Sequence, residues 1–167
     1  MTRDDSMFTK LWATFSECGL YRYELGRIWD ENLPVLGWCA CNPSTADMKE
    51  LDPTTWRVVD FSSRFGFGGF ILGNAYGFKS TKPKGLWAAK DPVGPENDTY
   101  LDQIRRSTDG MVVAWGAIPK RDRVYDVTKV LRASAQPLWC LRMTTGPRPQ
   151  PEHPLYLPAD LTLQRWP

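Results

Sequence analysis

The sequence predicts an α/β fold: one domain built as a three-layer α/β/α sandwich, with a mostly parallel sheet and an N-terminal antiparallel hairpin. Three observations predict it. Strand-length apolar runs alternate with amphipathic helical segments along most of the chain. Several of those runs are apolar on both faces, as strands covered on both sides must be. The length of 167 residues, with no internal repeat or linker, is that of about one domain with a real core.

The elements follow in order. Residues 20–29 alternate and are rich in aromatics, which predicts a strand. A turn at Asp30–Pro34 leads to a more apolar strand at 35–41, and the short separation predicts that these two form the hairpin. Asp52 precedes Pro53, the pattern of a helix cap followed by proline in the first turn. Trp56, Val59, Phe61 and Phe65 then recur at helical spacing until Gly66. Strands are predicted at 69–74, 110–115 and 137–141, with helices near 96–108 and 119–134. The lysine-containing segment 76–90 and the proline-rich segment 146–154 are predicted as loops.

Composition excludes several function classes. No stretch approaches the ~20 apolar residues of a membrane span, and no apolar signal core follows the polar N-terminus, so the chain is expected to be cytoplasmic. The single histidine, His153, excludes a two-histidine zinc site. Cys18, Cys39, Cys41 and Cys140 show no paired-ligand spacing and are read as reduced, mostly core residues. No metal or cofactor is expected. The net charge of +2 hides an uneven distribution. Residues 1–60 hold six basic and ten acidic side chains, whereas residues 119–150 hold seven basic and two acidic. Lys79, Lys82, Lys84 and Lys90 lie together without an acid, a pattern suited to facing phosphates.

In parallel sheets, ligands bind beyond the carboxyl ends of the strands. Four predicted strands are followed there by polar clusters: Asn42-Pro43-Ser44 with Asp47, Asn74 with Tyr76, Trp115-Gly116, and Glu152-His153. An Asn-Pro pair alone is ordinarily a turn, and a lone loop histidine is ordinarily structural. Four clusters on one edge of a sheet point to a site. They carry no serine–histidine–acid spacing, dinucleotide fingerprint or phosphate-binding loop. Asparagine side chains suit a ring with both donor and acceptor edges.

The run Asn42-Pro-Ser-Thr-Ala-Asp47, then Asp52-Pro-Thr, Asp91-Pro-Val-Gly-Pro-Glu-Asn-Asp98, Ala114-Trp-Gly-Ala117 and His153-Pro-Leu-Tyr-Leu157 resembles a family of short bacterial and phage proteins. That family long carried only an unknown-function label, and the resemblance covers roughly residues 20–166. At greater distance the same motif order resembles the uracil-DNA glycosylase superfamily. This second resemblance implies a glycosylase-like fold and hydrolysis of the N-glycosidic bond of a base flipped out of DNA.

By the same resemblance, Asn42 orients the attacking water and Asp47 supplies a carboxylate, although a turn or cap role fits Asp47 equally. His153 stabilises the departing base. Asn74 reads the base edge, with Pro43, Ser44 and Tyr76 completing the base pocket. Leu155 or Tyr156 wedges into the duplex, and Lys79, Lys82 and Arg148 contact phosphates or an attached sugar. Ser44 stands where uracil-specific enzymes place a tyrosine that excludes C5 substituents. The implied substrate is therefore a C5-modified pyrimidine, such as glucosylated hydroxymethylcytosine in phage DNA, released as antiviral defence to leave an abasic site. The expected partner is DNA with modified bases, the protein acting as a monomer. A hydrolase of free nucleotides or nucleosides, and a non-catalytic module that binds modified bases, fit the same residues.

Overall fold

A computed structural model describes residues 3–44 and 50–167. Among the described residues, seven strands form one sheet: β1 (Lys10–Phe15), β2 (Arg22–Ile28), β3 (Val35–Ala40), β4 (Gly69–Asn74), β5 (Met111–Val113), β6 (Leu138–Cys140) and β7 (Gln164–Arg165). Four helices accompany it: α1 (Pro53–Arg64), α2 (Pro83–Ala88), α3 (Asn97–Ser107) and α4 (Arg121–Leu131). The strand order is β1-β2-β4-β3-β5-β6-β7. The four inner strands β4, β3, β5 and β6 run parallel, while β1, β2 and β7 join antiparallel. The sheet is thus mixed rather than mostly parallel, with parallel pairing confined to its centre.

The expected hairpin is corrected. The strand at 20–29 and the strand at 35–41 do run in opposite directions, but β4 lies between them, paired antiparallel to β2 and parallel to β3. The reason lies in β3. Leu36, Trp38, Cys39 and Ala40 are buried on both faces of the strand, so β3 is stable only where helices cover both sides and strands flank both edges. The turn accommodates the inserted strand. Trp29 and Asp30 N–H groups donate to Gly68 O at 2.8 and 3.0 Å, and Gly68 N–H donates to Pro34 O at 2.8 Å. The hairpin that forms is β1 with β2, from Lys10↔Ile28 to Phe15↔Arg22. The half-exposed pattern of β1 gives little period-2 contrast, which is why it escaped the sequence reading.

Burial sorts the helices onto the two faces. Residues of α1 pack with Leu36, Trp38, Ala40, Phe70 and Leu72 in one core cluster. Residues of α2, α3 and α4 pack with Cys39, Cys41, Met111, Val113 and Cys140 in the other. The same-face placement of Cys39 and Cys41 is as expected for positions two apart, and burial pushes the Cys41 thiol up to about 12. The helix α1 starts as its sequence dictates: Asp52 Oδ1 accepts from Thr55 N–H at 2.8 Å, with Pro53 in the first turn. Inside the segment 76–90, α2 forms without a side-chain cap and is anchored by the fully buried Leu86. Tertiary burial, not propensity, makes that helix.

Trp38 ties α1 to the sheet. Its side chain is fully buried, and its Nε1–H donates to Ser62 Oγ of α1 at 3.0 Å. Trp38→Ala removes the largest side chain under α1 and leaves a cavity that close packing cannot fill. The expected loss is about 3–5 kcal/mol of stability, measured as a lower urea midpoint with an unchanged slope.

Candidate active site

The central parallel register decides what meets at the top of the sheet. Ala40 pairs with Asn74, so the segments leaving β3 and β4 emerge side by side. A cavity of about 240 Å³ lies there, on the α1 face. Asn42, Ser44, Asn74 and His153 all line it, joined by Arg22, Asp52, Thr54, Thr55, Ser80 and Thr81 over an apolar floor of Ala40 and Leu72. Four of the residues singled out from sequence therefore come together from three separate segments.

Each of these side chains is held. Asn42 Nδ2 donates to Ser80 O at 2.8 Å and to Pro43 O at 3.1 Å, which commits its amino group and leaves the carbonyl oxygen as its remaining polar atom. Asn74 is 2% exposed, and among the described residues its side-chain amide has no hydrogen-bond partner. The backbone beside it is clamped from the other face of the sheet. Asn97 Nδ2 donates to Asn74 O at 2.9 Å, and Arg123 Nε donates to Ala75 O at 2.6 Å. Arg123 also pairs with Asp98 at 2.5 Å. The Asp91–Asp98 motif thereby serves the site indirectly. Asp91 Oδ1 accepts from the N–H groups of Val93 and Gly94 at 3.1 and 3.0 Å, Gly94 sits at φ +90°, and the turn delivers Asn97 under β4.

His153 is positioned by the segments after β5 and β6. Gly116 N–H donates to Pro151 O at 2.8 Å, and Trp115 Nε1–H donates to Gln150 Oε1 at 2.9 Å. Arg142 pairs with Glu152, and Arg57 of α1 donates to the carbonyls of Pro154 and Leu157. His153 Nδ1 accepts a 3.4 Å hydrogen bond from Leu155 N–H, so the neutral ring carries its proton on Nε2. Burial pushes the His153 pKa below its ordinary value, against the opposing charge of Asp52.

Arg22 and Asp52 are the site residues the sequence reading missed. Asp52 was assigned only a capping role, which it does fill; its other oxygen accepts from Ser44 Oγ at 2.8 Å. Burial alone raises its pKa, yet the hydrogen bonds from Thr55 and Ser44 and the charge of Arg22 outweigh that and hold it below the usual value. Asp52 is thus an ionised carboxylate in the cavity wall. Arg22 is 4% exposed, and burial lowers it to about 10 despite Asp52. The available signal was an arginine between Tyr21 and Tyr23 in an aromatic-rich strand.

Other expected site residues lie elsewhere. Tyr76 is not at the cavity: a bend at Ala75 breaks the strand alternation, and Tyr76 packs on the opposite face against Trp87, its hydroxyl accepting from Lys120 N–H at 3.0 Å. Pro43 is buried beside Asn42 but does not line the cavity. Lys79 and Lys82 flank Ser80 and Thr81; the Lys79 ammonium sits 5.2 Å from the Phe15 ring centroid, and Lys82 is exposed. Arg148 is exposed on the loop preceding His153. Leu155 is half-buried, while Tyr156 is 92% exposed with φ 71°. Asp47 lies outside the described residues. Among the described residues, no group of three or more His, Cys, Asp or Glu side chains could hold a metal ion, and no helix is long and apolar enough to cross a membrane.

The chain matches a protein family of unknown function, DUF1643, over residues 22–155, and belongs to it. No curated protein and no solved structure matches the chain.

His153 makes stability depend on pH in a defined direction. Its folded pKa lies below its unfolded value, so its neutral form favours the folded state. Its contribution is fully present above pH ~6.5 and is lost as pH falls from there through the folded pKa. Being the single histidine, it gives an isolated imidazole NMR signal whose midpoint is expected below 6.5. His153→Gln is expected to flatten the fall in melting temperature over the same pH interval.

Proposed function

We propose that this member of the DUF1643 family is a monofunctional DNA glycosylase of the uracil-DNA glycosylase-like type, which releases a C5-modified pyrimidine flipped out of DNA. The observation that carries this reading is the meeting of Asn42, Ser44, Asn74 and His153 in one cavity beyond the parallel strands. Its 240 Å³ is below the ~300–1,000 Å³ of sites for drug-sized ligands, and suits a group about the size of one base with a substituent.

The chemistry follows from what each atom has left to offer. The Asn42 carbonyl oxygen accepts a hydrogen bond from water and orients it towards the sugar carbon, since its amino group is already committed. The Asp52 carboxylate contributes negative charge facing an oxocarbenium-like sugar, the part assigned to Asp47 by resemblance. As the glycosidic bond breaks, its electron pair passes to the base. The neutral His153 donates from Nε2 to the charge developing on that base. The water oxygen bonds to the anomeric carbon and loses a proton, which ends on the departed base, giving an abasic site and the free neutral base. The Asn74 amide, unpartnered by described residues, offers both a donor and an acceptor to the base edge.

Access is consistent with this chemistry. Ser44 is small and bonded to Asp52, so the wall it forms leaves room beside the ring. Tyr156 projects into solvent three residues beyond His153, in a backbone conformation that costs a non-glycine residue of the order of 1–3 kcal/mol. An exposed aromatic three residues along the chain from a cavity residue suits the gap left by an extruded base.

The deciding experiment incubates the protein with normal, uracil-containing and C5-glucosylated DNA and assays free base and abasic sites. Release from the modified DNA alone is expected; release from none overturns the reading. His153→Gln is expected to lower the rate about 10²–10³-fold, as is Asn42→Ala. Tyr156→Ala is expected to slow reaction on duplex DNA while sparing single strands, because only the duplex requires a wedge. An equal loss on both substrates argues against that role.

A further inference from the structure

Arg22 is unexplained by the chemistry above. Its side chain is 96% buried by its 4% exposure, it lines the cavity, and its Nε has no hydrogen-bond partner. Among the described residues its guanidinium makes no ion pair; Asp52 lies within electrostatic range but spends its oxygens on Thr55 and Ser44. An arginine is protonated under all ordinary conditions, and a buried charge without acceptors is costly. A fold retains such a group where a ligand completes it. The surroundings fit a ligand with negative oxygens. Ser80 and Thr81 line the same cavity, and Lys79, Lys82 and Lys84 stand on the segment that carries them. In the wall itself Arg22 is the one cation beside the one carboxylate, Asp52, and the lysines stand outside it on the adjoining segment.

We propose that Arg22 forms a phosphate subsite at the β2 side of the cavity, which takes a phosphate ester group of the ligand through charge-assisted hydrogen bonds from the guanidinium. The planar fork matches paired phosphate oxygens. The subsite deepens the glycosylase reading and rests on it only for the origin of the phosphate. In DNA the group is a diester next to the extruded nucleotide; in a free nucleotide it is a terminal monoester.

The test uses the full chain labelled with ¹⁵N and follows the Arg22 Nε–H resonance. Inorganic phosphate is titrated at constant ionic strength against chloride. A saturable shift is expected, abolished together with binding in Arg22→Gln and retained, weaker, in Arg22→Lys. No saturable shift, or equal binding by Arg22→Gln, overturns the subsite. Should Arg22→Gln fail to fold, the wild-type signal and Arg22→Lys still decide. The melting temperature separates binding from structure: the guanidinium makes no hydrogen bond or ion pair with the described residues and acts on the fold only through its charge near Asp52, so Arg22→Gln is expected to melt close to wild type in phosphate-free buffer. A large drop argues for a structural arginine. Displacement of phosphate by a short oligonucleotide supports a diester ligand. Displacement by a nucleoside 5′-monophosphate but not the oligonucleotide supports the subsite and overturns the DNA reading. Displacement by neither overturns the assignment to phosphate esters.

Discussion

The parallel pairing of β3 with β4, with Ala40 opposite Asn74, is the constraint on which the rest depends. It sends two chain segments out of the same edge of the sheet, one bearing Asn42 and Ser44 and the other Asn74, Ser80 and Thr81. A parallel pair needs a crossover, and here α1 supplies it, packed over the sheet with Trp38 bonded to Ser62. The start of that helix necessarily returns to the same edge. Asp52 therefore serves at once as helix cap, as partner to Ser44 and as the carboxylate of the cavity.

The opposite face of the sheet holds this edge in place. Asn97 and Arg123 reach across to the carbonyls at the end of β4, where regular pairing stops and the backbone acceptors would otherwise be buried without partners. The cost of burying Arg123 is met by Asp98 and Ala75 O together. Arg22 is the contrast. It is buried as deeply as Arg123, yet its guanidinium has no comparable set of acceptors among the described residues. One arginine belongs to the scaffold, and the other faces the cavity.

The polar clusters were legible in the sequence because they follow apolar runs that can only be strands. Asn42, Asn74 and His153 were found that way, and their convergence is a consequence of strand direction. Tyr76 was misplaced because following a strand does not fix which face a residue takes once the chain bends, and the bend falls at Ala75. Arg22 and Asp52 were passed over for a different reason. Each has an ordinary local explanation, a strand residue and a helix cap, and their second role exists only between elements distant in sequence.

The sequence by itself determined the types of β2 to β6 and of α1, α3 and α4, the cap at Asp52, the absence of histidine pairs and the segments able to carry polar groups, because periodicity and composition are local quantities. The tertiary structure alone decided the neighbours: that β4 separates β2 from β3, that α2 forms around Leu86, and that Arg22 reaches the cavity of Asn74 and His153. Strand order depends on which edges and faces find apolar cover in the completed domain, and that is a property of the assembled layers rather than of any one segment.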